Sequence, residues 1–212
     1  LSFAIDASSG HPDSTAISLD QAVYVIDRGF DPEGNALGHH KLQVIDTSVT
    51  GIEIRLAEID NQRDTIIMLT SDTTRHLTPL SFNDYTQPAI PHKADWDLLF
   101  TQYMFQFTNP PVAYLVTGVL LHPEGYSAAI DTQQSFSDIT LEDINNYTFS
   151  DDWDAIGYDW KSYNYDEGLY EVDASQIFIV KTNEGRYFKL QFLDFYTPTG
   201  EKGAPLFKCQ AL

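Results

Sequence analysis

The sequence offers almost no thiol chemistry. Cys209 is the single cysteine among 212 residues. One thiol closes no disulfide within the chain and builds no cysteine-based zinc site. Lying in the last apolar stretch, it reads as a small buried core residue. Methionine is nearly as scarce, at Met68 and Met104. No apolar run reaches the length of a membrane-spanning helix. No serine sits in a G-x-S-x-G elbow, and no glycine-rich loop joins a strand to a helix to cradle phosphate. Carboxylates are plentiful, but no spacing pairs two of them as acid and base. The expectation is a protein that is not an enzyme.

Positive charge is also short. Twelve Lys and Arg face 31 Asp and Glu, a formal net charge of −19. Nucleic acids and anionic membrane surfaces are bound by basic patches that release counterions, so the balance argues against both as partners. A strongly solvated surface is the plainer meaning of the charge, and it favours solubility. The six histidines, His11, His39, His40, His76, His92 and His122, include no H-x-x-x-H or H-E-x-x-H pair. His39 and His40 are adjacent, so on a strand they point to opposite faces and do not share a metal. Most of the six read as exposed loop residues. Asp151-Asp152-Trp153-Asp154 lacks the ligand spacing and the glycine of a calcium loop and reads as a solvated turn. Leu1 is no initiator methionine and no signal peptide is visible in the sequence, which reads as a trimmed mature form.

What the chain does have is a regular run of short strands and turns. Gln21 to Asp27, Lys41 to Asp46, Ile52 to Ala57 and Thr65 to Thr70 are β-branched and bounded by turn residues. Asp31-Pro32-Glu33-Gly34-Asn35 has strong turn chemistry. Ile52, Ile54 and Leu56 alternate with Glu53, Arg55 and Ala57, as in a sheet with one wet face. Leu98 to Phe107, Ala113 to Leu121 and Tyr126 to Ile130 continue the pattern, with Pro110-Pro111 between the first two. One short helix is predicted at Thr140 to Ile144, with Thr140 as cap and Glu142 and Asp143 in the first turn. The last stretch reads as three strands. Ile177 to Lys181 leads to a turn at Gly185. Arg186 to Tyr196 sets Tyr187, Lys189 and Gln191 against Phe188, Leu190 and Phe192. A second glycine turn precedes Pro205 to Cys209. The fold class is therefore all-β, with mostly antiparallel sheets in two packed lobes, about 1–92 and about 93–212, and one short helix. The proline-rich stretch Gln87 to Pro91 is the connector, and the whole is a single domain over 1–212.

Aromatic residues are the remaining signal. Between Tyr147 and Tyr170 stand Phe149, Trp153, Tyr158, Trp160, Tyr163 and Tyr165. Rings with polar tips suit the wall of a flat-ligand pocket or a protein interface, and they equally suit core packing. Both readings stay open on the sequence.

Three segments, in order, carry a resemblance: Asp95-Trp96-Asp97-Leu98-Leu99-Phe100, a W-D-x-x-F strand; Trp160-Lys161-Ser162-Tyr163; and the closing block from Gln176 to Leu212. Together they resemble the HmuY family, haem-carrying surface lipoproteins of Bacteroidetes, over roughly Ala94 to Leu212. The resemblance implies an exported lipoprotein with an anchor upstream of this chain. It implies haem as the ligand and an outer-membrane receptor as the partner that takes it. In that family two axial ligands, histidine or methionine, come from two loops. Laid over the pattern, this chain puts Tyr165 near the second position. The first falls at Tyr126 or Ser127, with His122 reachable across a gap. No histidine follows His122, and both methionines precede it, so paired histidine or methionine ligation is absent. Tyrosinate binds ferric haem. Tyr165 and His122 are therefore the candidate iron ligands, with Tyr126 as a further cofactor-binding residue. The alternative is a haem-free accessory module of the same fold that binds a peptide, glycan or receptor surface.

Overall fold

The structure, a computed structural model, describes residues 17, 21–31 and 33–212, apart from the side chain of Ala113. His11 and Pro32 thus lie outside the described residues. The chain divides into two compact units that meet in sequence at Asp95 and Trp96. The described residues are almost wholly β, as the spacing of strands and turns implies.

The first unit holds one antiparallel meander. Strands β1 (Val23–Asp27), β2 (His39–Ser48), β3 (Gly51–Glu58) and β4 (Asp64–Thr70) lie in that order. Each predicted strand is present, lengthened or trimmed by a few residues at its ends. Alternation sends Leu42, Val44, Ile54, Leu56 and Leu69 to one face, where Tyr85 closes the core. A register shift between Val44 and Asp46 ends the strict alternation, and Ile52 stays exposed. His39 is exposed and His40 buried, on opposite faces as the strand period requires.

The second unit begins with a long hairpin, β5 (Leu98–Thr108) and β6 (Pro111–Leu121). Its principal sheet has the order β12-β11-β10-β7. The strands are β7 (Ser127–Asp131), β10 (Ile177–Lys181), β11 (Tyr187–Tyr196) and β12 (Lys202–Ala211). A small hairpin, β8 (Lys161–Asn164) and β9 (Leu169–Val172), precedes it in sequence. The one helix among the described residues is a 3-10 turn at Leu141–Asn146. The Asp143 carboxylate accepts from the Thr140 N–H at 2.8 Å and from its hydroxyl at 2.9 Å. Thr140 therefore starts the helix chiefly through Asp143 reaching back, as in one half of a capping box.

The principal sheet is covered on both faces. Phe178, Val180, Leu190 and Phe192 point to a core that contains Trp160, Ile156, Val119 and Leu121. Ile177 and Ile179 point the other way, to Ile139 and Ile144 of the helical segment. This second cover buries the centre of β11 on both faces. Lys189 and Gln191 are buried although their alternation with Leu190 marks them as outward. The Lys189 ammonium donates to the Ile139 carbonyl at 2.8 Å, and the Gln191 amide donates to the Ala174 carbonyl. Cys209 is a correction as well. It is exposed, because β12 is the edge of the sheet and most of its side chains stay in solvent.

Candidate functional site

His122 follows the end of β6, at the start of the turn His122-Pro123-Glu124-Gly125. Its N–H donates to the Asp97 carbonyl at 3.0 Å, which holds the turn against the start of β5. The imidazole lies between the rings of Trp96, 4.5 Å away, and Tyr126, 5.0 Å away, and is only 3% exposed. Its Nδ1 accepts from the Glu124 N–H at 3.1 Å, so the ring is held as the tautomer protonated on Nε2. Tyr126 donates its hydroxyl to Asp97 at 2.6 Å. Burial and that bond to a carboxylate both push the Tyr126 phenol well above its ordinary pKa. The structure thus brings His122 and Tyr126 together, in a slot built on Trp96 and Asp97. Most histidines read as exposed from the sequence, but burial of His40 and His122 corrects that expectation for these two.

Tyr165 lies elsewhere, in the turn between β8 and β9. Asn164 builds the turn: its side-chain oxygen accepts from the N–H groups of Asp166 at 3.0 Å and Glu167 at 3.2 Å. Gly168 closes it at φ +71°, a conformation costly for any residue with a Cβ. Tyr165 is 87% exposed, and its ring meets Tyr163 edge-on at 5.1 Å. Tyr163 in turn meets Tyr170 at 5.1 Å, and Tyr170 meets Phe195 at 5.3 Å. The Tyr170 N–H donates to the Tyr196 hydroxyl at 2.7 Å. Burial raises the pKa of the Tyr170 phenol first, and the nearby phenols of Tyr114, Tyr163, Tyr196 and Tyr165 add to the rise. Five tyrosines therefore share one surface of the second unit, and Tyr114, Tyr163 and Tyr165 are its exposed members.

Beneath this patch lies Trp160, 1% exposed, stacked on Phe192 at 3.9 Å and 15°. Beside it Lys161, 7% exposed, holds its ammonium over the rings of Trp160 at 4.3 Å and Phe195 at 4.8 Å. That ammonium donates to the carbonyls of Thr117 and Tyr158, which ties the β5–β6 hairpin to the patch. Burial pushes the Lys161 pKa down to about 8.

The ring-dense segment does not form one cleft. Tyr147 and Phe149 pack against the helical segment, Trp153 and Tyr158 against the β5–β6 hairpin, and Trp160 and Tyr170 against the main core. Tyr163 and Tyr165 remain at the surface. Core packing accounts for most of these rings, and the exposed phenols are the exception. Among the described residues, no group of three or more His, Cys, Asp or Glu side chains is placed to hold a metal ion.

A third feature was not legible in the sequence. On the helical face of the principal sheet an open depression of about 430 Å³ is lined by Gln134, Ser135, Phe136, Ser137, Gln191 and Lys208, among others. It joins a loop to two strands far apart in sequence, and no local pattern marks it.

Compared with known proteins, residues 122–209 match the family model described as HmuY protein. That segment carries the HmuY signature. It takes in Trp160, Lys161 and most of the closing strands, while the W-D-x-x-F strand lies before it. Among solved structures, a Bacteroides vulgatus protein described as HmuY-like and haem-binding is 12% identical. That likeness covers 86% of this chain and 95% of the other, with a TM-score of 0.34. The apo HmuY analogue of Tannerella forsythia is 14% identical over 81% of this chain and 95% of its own, also at 0.34. Likenesses of this degree leave the site and its ligand open. No curated protein matches the chain. No described helix is long and apolar enough to cross a membrane.

For haem, the two candidate ligands fare differently. A tyrosine or histidine can ligate haem iron only if its oxygen or nitrogen lone pair is accessible. The Tyr165 hydroxyl, on an exposed turn with rings beside it, meets that need. His122 does not in this conformation: one nitrogen is taken by Glu124, the other carries the proton, and two rings cover it.

Proposed function

We propose that this chain is an exported, non-enzymatic ligand-binding protein of HmuY type, that its ligand is haem, and that Tyr165 is the protein ligand to the iron. The single observation that carries the reading is the exposure of Tyr165 within a patch of phenols that offers a porphyrin both an oxygen ligand and ring faces. Bound haem supplies a ferric centre that accepts a tyrosinate; nothing is made or broken by the protein itself. Tyr163 orients Tyr165 edge-on, and Tyr170 and Phe195 anchor Tyr163 from below. His122 and Tyr126, the other candidates, act as pillars that hold the turn after β6 in place. In this reading an anchor upstream keeps the protein at the outer membrane, where it passes haem to a receptor. The net charge of −19 repels haem propionates and tunes capture toward easy release.

A second reading is favoured by the burial of His122. In it the chain keeps the fold, lacks iron ligation, and uses the tyrosine patch to meet a peptide, glycan or receptor surface. Haemin titration followed by absorbance separates the two. The first reading expects a saturable Soret shift that is lost in Tyr165→Phe and kept in His122→Ala. Absence of any shift at micromolar haemin, in both oxidation states, overturns it.

A further inference from the structure

We infer a second binding site, independent of the haem reading, in the depression between the loop at Gln134 to Ser137 and the strands β11 and β12. Its ligand class is a sugar acid, a small molecule with one carboxylate and several hydroxyls.

The cation comes first. Lys208 pairs across the sheet with Gln191, so the two side chains lie on one face. Its ammonium stands 4.1 Å from the centre of the Phe136 ring. Lys189, 3% exposed, holds its own ammonium 4.8 Å from the same ring and donates to the Ile139 carbonyl. An exposed lysine ordinarily samples many rotamers. Here the ring fixes the Lys208 ammonium at the edge of a concavity, which lowers the ordering cost of using it. No residue lining the depression is acidic, although acids outnumber bases 31 to 12 in the chain. The nearest buried carboxylate, Asp131, is already satisfied by the Tyr147 hydroxyl at 2.6 Å and by the N–H groups of Gln133 and Gln134. A carboxylate therefore has one fixed cation to meet and no lining charge to repel it.

The amides decide the rest. Gln134 donates its side-chain NH2 to Asp131 and to the Tyr147 oxygen, each at 3.2 Å. Gln191 donates its own to the Ala174 carbonyl. Both amides are thus engaged through their nitrogens; both residues line the depression, and their amide oxygens, each with two lone pairs, keep acceptor capacity for a ligand. They call for donors on the ligand. An ammonium donor would seek a carboxylate wall, which this site lacks, so the donors are hydroxyls. A volume of about 430 Å³ lies in the range of small-molecule sites and far exceeds that of a simple anion.

The test is an amide-resolved NMR titration of the full chain with glucuronate, with glucose and acetate as controls. Saturable shifts at Ser135, Phe136, Ser137 and Lys208 are expected with glucuronate alone. Lys208→Gln, an exposed edge-strand change, should weaken binding by about tenfold, the scale of one charge-assisted hydrogen bond. Tyr165→Phe should leave it unchanged, which separates this site from the haem reading. Equal response to glucose removes the cation's role and overturns the proposal. Equal response to acetate reduces the site to a bare charge and overturns the sugar-acid assignment. No shift at millimolar glucuronate overturns the site.

Discussion

Replacing Lys161 by Met should flatten the pH dependence of stability in a predictable window. The Lys161 ammonium is buried against Trp160, Phe195 and Tyr170, and burial pushes its pKa down to about 8 from the ordinary 10.5. A lysine whose pKa falls on folding binds its proton more tightly in the unfolded chain. Below about pH 8 both states are protonated and folding carries the full penalty, about 3 kcal/mol at most. As pH rises toward the unfolded value, the folded state sheds the proton first and the penalty shrinks. Between about pH 6.5 and about pH 9.5 the wild type should gain about 2 kcal/mol from this group. Lys161→Met has nothing to titrate there, and its two orphaned acceptors, the Thr117 and Tyr158 carbonyls, impose a cost that does not vary with pH. Urea denaturation of both proteins across the window measures the difference directly, because contributions from all other groups cancel. Tyrosines do not intrude below about pH 9.5, since burial raises rather than lowers the phenols around this site. The wild-type stability should climb relative to the variant. Curves parallel to within about 0.5 kcal/mol would refute the claim that Lys161 is held charged in a site that penalises charge.

Three further outcomes are expected. Trp160→Ala removes the largest ring of the main core, stacked on Phe192, and should cost about 3–5 kcal/mol in chemical denaturation. Asp131→Ala should cost about 1.5–3 kcal/mol at neutral pH, because it strands the Tyr147 hydroxyl and two loop N–H groups. Burial raises the Asp131 pKa, but its hydrogen bonds lower it by more, so the net shift is downward. Its contribution is therefore present above about pH 4 and is lost as pH falls through the lowered folded value, and the gap between variant and wild type should close there. Gly118→Ala places a Cβ 2.6 Å from the Gly157 carbonyl oxygen, across the bridge that joins β6 to Gly157. It should lower the thermal midpoint, at a cost of about 1–3 kcal/mol for overpacking.

The sheets were largely legible because strand signals are local. β-branched runs between turn residues mark β1 to β7 and β10 to β12 without help from tertiary contacts. The hairpin of Lys161–Asn164 and Leu169–Val172 was not read as strands. Four residues carry too little pattern, and Asp166, Glu167 and Gly168 look like open loop. Burial was harder, because it depends on what covers a strand. Lys189 and Gln191 alternate like surface residues; the segment at Ile139, fifty residues upstream, takes Lys189 inside, and the loop at Ala174 takes Gln191. Cys209 looks like core on its apolar strand, and only the edge position exposes it. The site residues divide in the same way. Nothing local distinguishes Tyr165, in an exposed turn, from the half-buried Tyr170 five positions on. His122 sits in a sequence that reads as loop, yet Trp96 and Tyr126 enclose it.

Strand β11 also separates the two proposed sites. Leu190 and Phe192 point to the core beneath the tyrosine patch, while Lys189 and Gln191 point to the depression beside Phe136. Period-two alternation puts the two sets on opposite faces of a backbone that is itself fixed on both sides by β10 and β12. A change at the exposed turn of Tyr165 reaches the depression through the stacked pair Trp160 and Phe192 and along β9, whose last residue Val172 lies two positions before the lining residue Ala174. Packed cores resist continuous deformation, and residues more than about 10 Å apart without shared partners act additively to within about 0.5 kcal/mol. Glucuronate affinity in Tyr165→Phe should therefore match the wild type to within about twofold, and the double variant with Lys208→Gln should match Lys208→Gln alone. A larger departure in the double variant would mean that β11 transmits strain between its faces, and the two surfaces would then have to be treated as one coupled site.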